Sequence, residues 1–165
     1  MTIDANDKDA WTNNSKDENE FVTKFGKSLG FVLNPEKNKN RGRFLPDLFS
    51  TSFNTLADVK IQSTPFITAG LHGVSSERCV TLNVMDLVRY SVYYGGKFLI
   101  YFWVRYPENS LNGVYCATCR KIVEDITFNR RHIHKYQTRD GTDGNKTHSF
   151  VLDVTVFDRV AKDVP

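Results

Sequence analysis

Apolar residues recur with different periods along the chain, and these periods predict its secondary structure. Phe21, Phe25 and Leu29 repeat every four residues, which is the spacing of the buried stripe of a helix. Ser15-Lys16-Asp17-Glu18 has the form of a capping box, and Gly30 is a typical helix stop. We therefore expect a first helix that begins at the capping box and ends at this glycine.

A stretch of alternating polarity, Leu56 to Gln62, predicts a strand with two different faces. Its apolar residues would point to one face, while Asp58 and Lys60 would share the other. Phe44 to Phe49 is expected to form the preceding strand. A hairpin between the two strands would bring Asp47 beside Asp58.

A segment that is apolar on both faces, Lys97 to Tyr106, predicts a central strand covered on both sides. The fold class expected from these patterns is α/β, with a mixed central β-sheet flanked by helices. The other expected elements are a helix from Asn83 to Tyr94, a short strand at Val114 to Cys116, a helix at Thr118 to Ile126, and strands at Phe128 to Thr138 and Thr147 to Val156.

The 165-residue length fits one domain, which we place at residues 15–165 after a mobile acidic tail at residues 1–14. The net charge of +3 hides an asymmetry, because residues 1–20 hold six acids and two lysines and so carry −4. The remainder therefore carries +7. A basic body suits a polyanionic partner, with nucleic acid first, although ordinary solubility would explain the same excess.

The polar N-terminal residues do not resemble a signal peptide, and the longest apolar run is far shorter than a membrane span. Three cysteines, an odd number, argue against a secreted disulfide framework. These observations predict a cytoplasmic protein without a membrane partner.

Two carboxylates and a lysine on one hairpin have a distinct chemistry. Carboxylate oxygens are the protein ligands that Mg²⁺ prefers, and one or two of them hold the ion while water fills the other positions. An ammonium group beside them can stabilise a phosphate. The alternative is a surface hairpin on which Asp58 and Lys60 form a salt bridge.

Pro46, Asp47, Asp58 and Lys60, with ten residues between the two acids, resemble the motif of the PD-(D/E)XK nuclease superfamily. The predicted order of helix, hairpin, helix and strand over residues 15–106 is similar to the core of its restriction-endonuclease-like fold. The resemblance implies a Mg²⁺-dependent nuclease, with Mn²⁺ able to substitute, that hydrolyses phosphodiester bonds in DNA. It implies that the two acids bind the metal and that the lysine aligns the attacking water.

Members of this superfamily often carry a further acid on the first helix. Here the resemblance implies Glu20 as that metal ligand, since Glu18 would be occupied by the capping box. Some relatives also place a Gln-x-x-x-Tyr pair on the helix after the motif. In this chain Asp86 stands four residues before Tyr90, so the glutamine is absent, and Arg89 is the cation of this helix.

Cationic and polar residues at three places are candidates for contacting nucleic acid. Cations bind phosphates, and an interleaved tyrosine can stack on a base or sugar. An edge strand protected by charge is the alternative for the third place. The candidates are Arg41 and Arg43 in a loop, Gln62 on the motif strand, and Arg130, Arg131, Lys135, Tyr136 and Arg139 on the predicted strand after residue 128.

Cys116, Cys119 and His132 have zinc-finger spacing, and His134 would share a strand face with His132. A small zinc-stabilised interaction protein is therefore one alternative function. A nuclease-fold module that binds nucleic acid or a protein without turnover is another. A homodimer is expected if the substrate is a duplex, because cutting two strands usually needs two sites.

Overall fold

The computed structural model describes residues 16–37, 45–135 and 148–163. Helix α1 covers residues 16–29 and contains a π-helical turn at Val22–Gly26. The elements that follow are β1 (Val32–Leu33), β2 (Leu48–Ser50), β3 (Thr55–Gln62), a 3₁₀ segment (Ile67–His72), β4 (Cys79–Asn83), α2 (Val84–Tyr94), β5 (Leu99–Val104), β6 (Gly113–Thr118), α3 (Cys119–Phe128), β7 (Ile133–His134), β8 (Ser149–Asp153), a 3₁₀ turn (Val154–Val156) and β9 (Asp158–Lys162).

The main sheet has six strands in the order β1-β2-β3-β5-β6-β9. Strands β3 and β5 are parallel, and the other neighbours are antiparallel. A parallel pair needs a crossover connection, which here contains β4 and α2. The sheet is therefore mixed and flanked by helices, and the fold class predicted from the sequence is confirmed.

Strand β5 lies at the centre of the sheet and is buried on both faces, as its composition predicted. Tyr101 and Trp103 pack towards α1, where they contact Phe21 and Phe25. The alternate residues, such as Phe102, belong to a second core with α2, α3 and the smaller sheet. The buried stripe of α1 and the two-sided burial of β5 were thus both correctly predicted from the sequence pattern.

A second sheet of three strands, in the order β4-β8-β7, packs against the end of β3. The Gln62 amide makes the connection. Its Nε2 donates to Thr81 Oγ1 (2.7 Å), and its Oε1 accepts from the Thr81 backbone N–H (3.2 Å) and from the Tyr106 hydroxyl (3.1 Å). The Gln62 side chain thus supplies hydrogen bonds between the two sheets that no pair of the described strands provides there.

The predicted strand Phe128–Thr138 is wrong in the residues that the structure describes. Helix α3 takes up its first residue, and only Ile133–His134 is extended. Asp125 accepts hydrogen bonds from residues that follow the C-terminal end of α3. Its backbone carbonyl accepts from the Asn129 N–H (3.0 Å), while its carboxylate accepts two hydrogen bonds from Arg131 (2.8 and 2.9 Å). This local charge-assisted contact turns the chain before a long strand can form.

The predicted strand Thr147–Val156 is shorter than expected. Strand β8 ends at Asp153, whose side chain accepts from the Thr155 N–H (3.0 Å) and begins a 3₁₀ turn. Strands β1, β4 and β9 were not predicted, because two or five residues of mixed polarity carry no clear period.

Two other expectations concern the extent of the chain. The proposed acidic tail at residues 1–14 lies outside the described residues, as does Ser15 of the capping box. The assignment of residues 15–165 to a single domain stays a prediction. Within the described residues, no helix combines the length and apolar character needed to cross a membrane.

Replacing Gln62 by alanine should destabilise the protein by about 1–3 kcal/mol, because the half-buried Thr81 N–H would lose its side-chain acceptor. The measurement is urea unfolding at fixed pH. Thr55→Ala, an exposed change at the other end of the same strand, is the control and should alter the stability by about 0.5 kcal/mol or less. Equal stability of the two variants would show that the small sheet docks without this amide.

Candidate active site

Asp47 and Asp58 lie side by side on the β2–β3 hairpin. Leu48 pairs with Ala57, so the two acids occupy the next position of the ladder. The Asp47 N–H donates to Asp58 Oδ1 (3.3 Å), and the Val59 N–H donates to Asp47 Oδ2 (3.4 Å). Both residues are buried, with relative exposures of 7% and 2%. The hairpin geometry expected from the sequence is present.

Lys60 is on the same face of β3 as Asp58 and points towards α2. Its Nζ lies 2.8 Å from Asp58 Oδ2 and 2.9 Å from Asp86 Oδ2. The Nζ also lies 3.4 Å from the Tyr90 hydroxyl, and the ammonium sits over that ring, 5.6 Å from its centroid. Lys60 is therefore held by groups from two elements, and the Asp86-x-x-x-Tyr90 pair lines the site.

A second lysine contacts Asp47. Lys37 follows β1, and its Nζ donates to Asp47 Oδ1 and to Glu18 Oε1 of α1, the latter at 2.9 Å. The Asp47 and Glu18 side chains are largely buried. Each acid of the pair thus contacts its own lysine, and each lysine is shared with a further carboxylate.

Burial and like charge act together on Asp58. Burial is the larger influence, and with the Asp47 charge it raises the pKa of Asp58 from 3.8 to about 6, although Lys60 opposes the shift. Burial alone would lower the pKa of Lys60. The carboxylates of Asp58, Asp86 and Asp47, together with Tyr90, outweigh it and raise this pKa well above its ordinary value. Lys60 is accordingly a permanent cation.

The charge balance of this cluster fits a divalent cation. Four carboxylates, those of Glu18, Asp47, Asp58 and Asp86, face the Lys37 and Lys60 ammonium groups and the Arg89 guanidinium, which lies 3.6 Å from Asp86, so one negative charge remains when all four acids are ionised. Among the described residues, Asp58 Oδ2 is a buried oxygen that forms an ion pair with the Lys60 ammonium (2.8 Å) but accepts no hydrogen bond of regular geometry. An anionic oxygen in this state has a free lone pair for a hard cation.

The available ligands are two carboxylates rather than three. No group of three or more His, Cys, Asp and Glu side chains in the described part of the chain is arranged to hold a metal ion. Glu18 meets Asp47 only through Lys37. Two carboxylates are sufficient protein ligands for Mg²⁺, which keeps several waters.

The structure does not bring Glu20 to this cluster. Its carboxylate accepts two hydrogen bonds from Arg105, both at 3.2 Å, on the solvent side of α1. Residues two apart on a helix point about 200° apart, so Glu18 and Glu20 cannot face the same site. The expectation that Glu20 would be the further acid is therefore corrected, and Glu18 takes the nearer position.

Two predicted nucleic-acid contacts have structural partners instead. The Gln62 amide joins the two sheets, and Arg131 is paired with Asp125 in a largely buried contact. Arg130 and Lys135 are exposed, as such a contact requires. Four further candidates, Arg41, Arg43, Tyr136 and Arg139, lie outside the described residues.

The proposed zinc ligands do not converge. Cys119 is buried in the core beside α2, and Cys116 contacts Tyr101. His134 is instead near His72, with Nδ1 and Nε2 3.2 Å apart, at the edge of the small sheet. The zinc-stabilised alternative is therefore contradicted, because sequence spacing on α3 and β7 does not put these side chains together.

Lys37 is the site residue that sequence reasoning missed. It belongs to a loop segment with several cations, and nothing in its spacing distinguishes it from Lys39. Glu18 was recognised but assigned to the capping box. Asp86 and Tyr90 were recognised through their spacing, which places two side chains on one helix face.

The comparisons with known proteins support the fold. No protein-family model matches the chain, and no curated protein matches it by sequence. One solved structure that is similar is D212, a nuclease from a fusselovirus, at 11% identity and a TM-score of 0.50. The match covers 92% of this chain and 84% of that one. The likeness shows that this chain has a nuclease-like α/β fold.

Proposed function

We propose that this protein is a Mg²⁺-dependent nuclease that hydrolyses phosphodiester bonds in DNA with a PD-(D/E)XK-type site. The observation that carries the proposal is the buried pair of Asp47 and Asp58 with the Lys60 ammonium 2.8 Å from the second acid. The fold shared with a viral nuclease supports it independently of this motif. The proposed location is cytoplasmic.

Asp47 and Asp58 would hold the metal, and Mn²⁺ would substitute for Mg²⁺. When bound, such an ion acts as a Lewis acid on the phosphate and lowers the pKa of a coordinated water. The two carboxylates are fixed for this task by backbone hydrogen bonds on the hairpin, so their oxygens need little reorganisation.

Lys60 has the properties of an electrostatic group rather than a base. Its ammonium is fixed by Asp58 and Asp86, and its raised pKa keeps it protonated. A protonated lysine cannot accept a proton from water, but its charge can stabilise a phosphate oxygen, and it can donate a hydrogen bond to the attacking water if it releases the Tyr90 hydroxyl at 3.4 Å. Tyr90 and Asp86 limit its motion and so position it.

Exposed cations would bring the polyanion to this site. Arg130 and Lys135 are the described members of the proposed binding set. Cations of this kind bind the backbone of nucleic acid without reading its sequence. A duplex substrate would favour a homodimer, in which each subunit cuts one strand.

Cleavage should fall by about a hundredfold or more in each of three variants, Asp47→Asn, Asp58→Asn and Lys60→Met. Each loss should be large because residues that act as one catalytic unit have effects on the rate that do not add. The measurement is incubation of supercoiled, linear and single-stranded DNA with Mg²⁺, Mn²⁺ or EDTA. Asp158→Asn, which removes an exposed ion pair with Lys121, is the control and should cleave normally.

Two results would oppose the proposal. Near-normal cleavage by folded Asp58→Asn protein would refute the assignment of the catalytic site to Asp47, Asp58 and Lys60. Parent protein that binds DNA but leaves all three substrates intact with either metal would be a nuclease-fold binding module without turnover.

The stability of the metal-free protein should fall as the pH rises through the pKa of Asp58. Below pH 3.8 this acid is protonated in both states, whereas from 3.8 to about 6 only the unfolded chain ionises it. Relative to Asp58→Asn, which cannot ionise, the parent should therefore lose about 2 kcal/mol between pH 4 and pH 7. Urea unfolding in EDTA measures this difference, and a flat difference across the range would refute the raised pKa.

Glu18→Gln should raise the Mg²⁺ concentration for half-maximal cleavage by about tenfold, because it removes a negative charge near Asp47. Glu20→Gln is the matched control. It lies on the same helix but is paired with Arg105, so its Mg²⁺ titration should equal that of the parent. A shift with Glu20→Gln alone would restore the assignment made from the sequence.

A further inference from the structure

Lys37 occupies a position between two carboxylates at the candidate metal site. Its Nζ binds Glu18 Oε1 at 2.9 Å and also binds Asp47 Oδ1. The lysine side chain is only 25% exposed, so these two acids are its principal surroundings. The contact joins α1, the turn after β1 and the start of β2.

The position of Lys37 is built by the backbone around it. Asn34, buried at 3% exposure, donates from Nδ2 to the Pro46 carbonyl (2.9 Å) and from its N–H to the Asp47 carbonyl (2.8 Å). The Asn34 carbonyl then accepts from the Lys37 N–H (3.1 Å), and its Oδ1 accepts from the Glu36 N–H (3.1 Å). This turn is therefore tied to the strand that carries Asp47.

The lysine and a metal ion would use the same oxygen. Mg²⁺ binds a carboxylate oxygen at about 2.0–2.1 Å, and its divalent charge repels an ammonium group that is in hydrogen-bond contact with the same oxygen. Lys60 also contacts an oxygen of the acid pair, Asp58 Oδ2, but its ammonium is shared with Asp86 and Tyr90 of α2. Asp47 Oδ1 is the atom at which Lys37 and a metal ion would compete.

We propose that Lys37 is an internal counter-ion that a divalent cation displaces from Asp47 and Glu18, so that this lysine sets the affinity of the site for metal. The inference rests on the proposed function, because it requires a metal at Asp47. It assigns to the turn at residues 34–37 a role in the exchange between a metal-free and a metal-bound site.

The direct test uses isothermal titration calorimetry to measure the affinity of the full chain, without DNA, for Mg²⁺. The same titration is made in parallel with Mn²⁺. Lys37→Met keeps the length of the side chain but removes its charge, and it should bind the ion about tenfold or more tightly than the parent. Lys121→Met is the matched control, because it breaks an ion pair with Asp158 (3.0 Å) away from the acid pair. Its affinity should equal that of the parent.

Thermal unfolding supplies a second measurement that does not depend on cleavage. In EDTA, Lys37→Met should unfold at a lower temperature than Lys121→Met, since the acids at the site lose a counter-ion. The same excess of Mg²⁺ should raise its unfolding temperature by more than it raises that of the parent, because the stabilisation by a ligand grows with the logarithm of the ratio of its concentration to its dissociation constant. Lys37→Gln provides a second neutral variant if the methionine variant fails to fold.

The outcomes separate this inference from the proposed function. Metal binding that is equal or weaker in both neutral variants than in the parent would overturn the counter-ion role and leave the metal site in place. Metal binding by Lys37→Met but not by the parent would support the role in its strongest form. If neither the parent nor the two neutral variants bound metal, the proposed metal site would be refuted, and this inference would be refuted with it.

Discussion

Two carboxylates buried side by side are the constraint on which the rest of this structure depends. Asp47 and Asp58 lose most of their hydration and repel each other, so keeping both of them ionised requires positive charge in contact with them. Lys37 provides that charge at Asp47, and Lys60 provides it at Asp58. Each lysine is in turn shared with a carboxylate of a flanking helix, and the cluster therefore binds the main sheet to both helical layers.

Strand β5 explains why the site faces α2. Its side chains fill one core on the α1 side and another on the α2 and α3 side. Because β3 runs parallel to β5 in a fixed register, its apolar residues join the first core. Asp58 and Lys60 are then directed to the other face, where Asp86 and Tyr90 complete the surroundings of the ammonium. A one-residue slip of β3 would bury both charges among aromatic rings.

The cations of this chain show how little charge composition says about individual roles. Lys37, Lys60 and Arg131 are neutralised by acids inside the fold, whereas Arg130 and Lys135 are exposed. All five look alike in a count of basic residues. The pairing of each one depends on which acid the fold brings within about 4 Å, and that distance is decided by contacts between segments far apart in sequence.

The sequence by itself determined the elements with a strong period and the chemistry that one element carries. The helical stripe of α1, the alternating β3, the two-sided β5 and the hairpin that joins Asp47 to Asp58 all follow from local patterns, because side-chain direction along a single element is a local property. Only the tertiary structure decided the rest. It placed Glu18, and not Glu20, near Asp47, and it brought Lys37 into contact with Asp47. It also used the Gln62 side chain to join the two sheets and kept the cysteines apart from the histidines. Each of these outcomes depends on how one element is rotated and placed against another, and that placement is set by the packing of the whole core rather than by any segment.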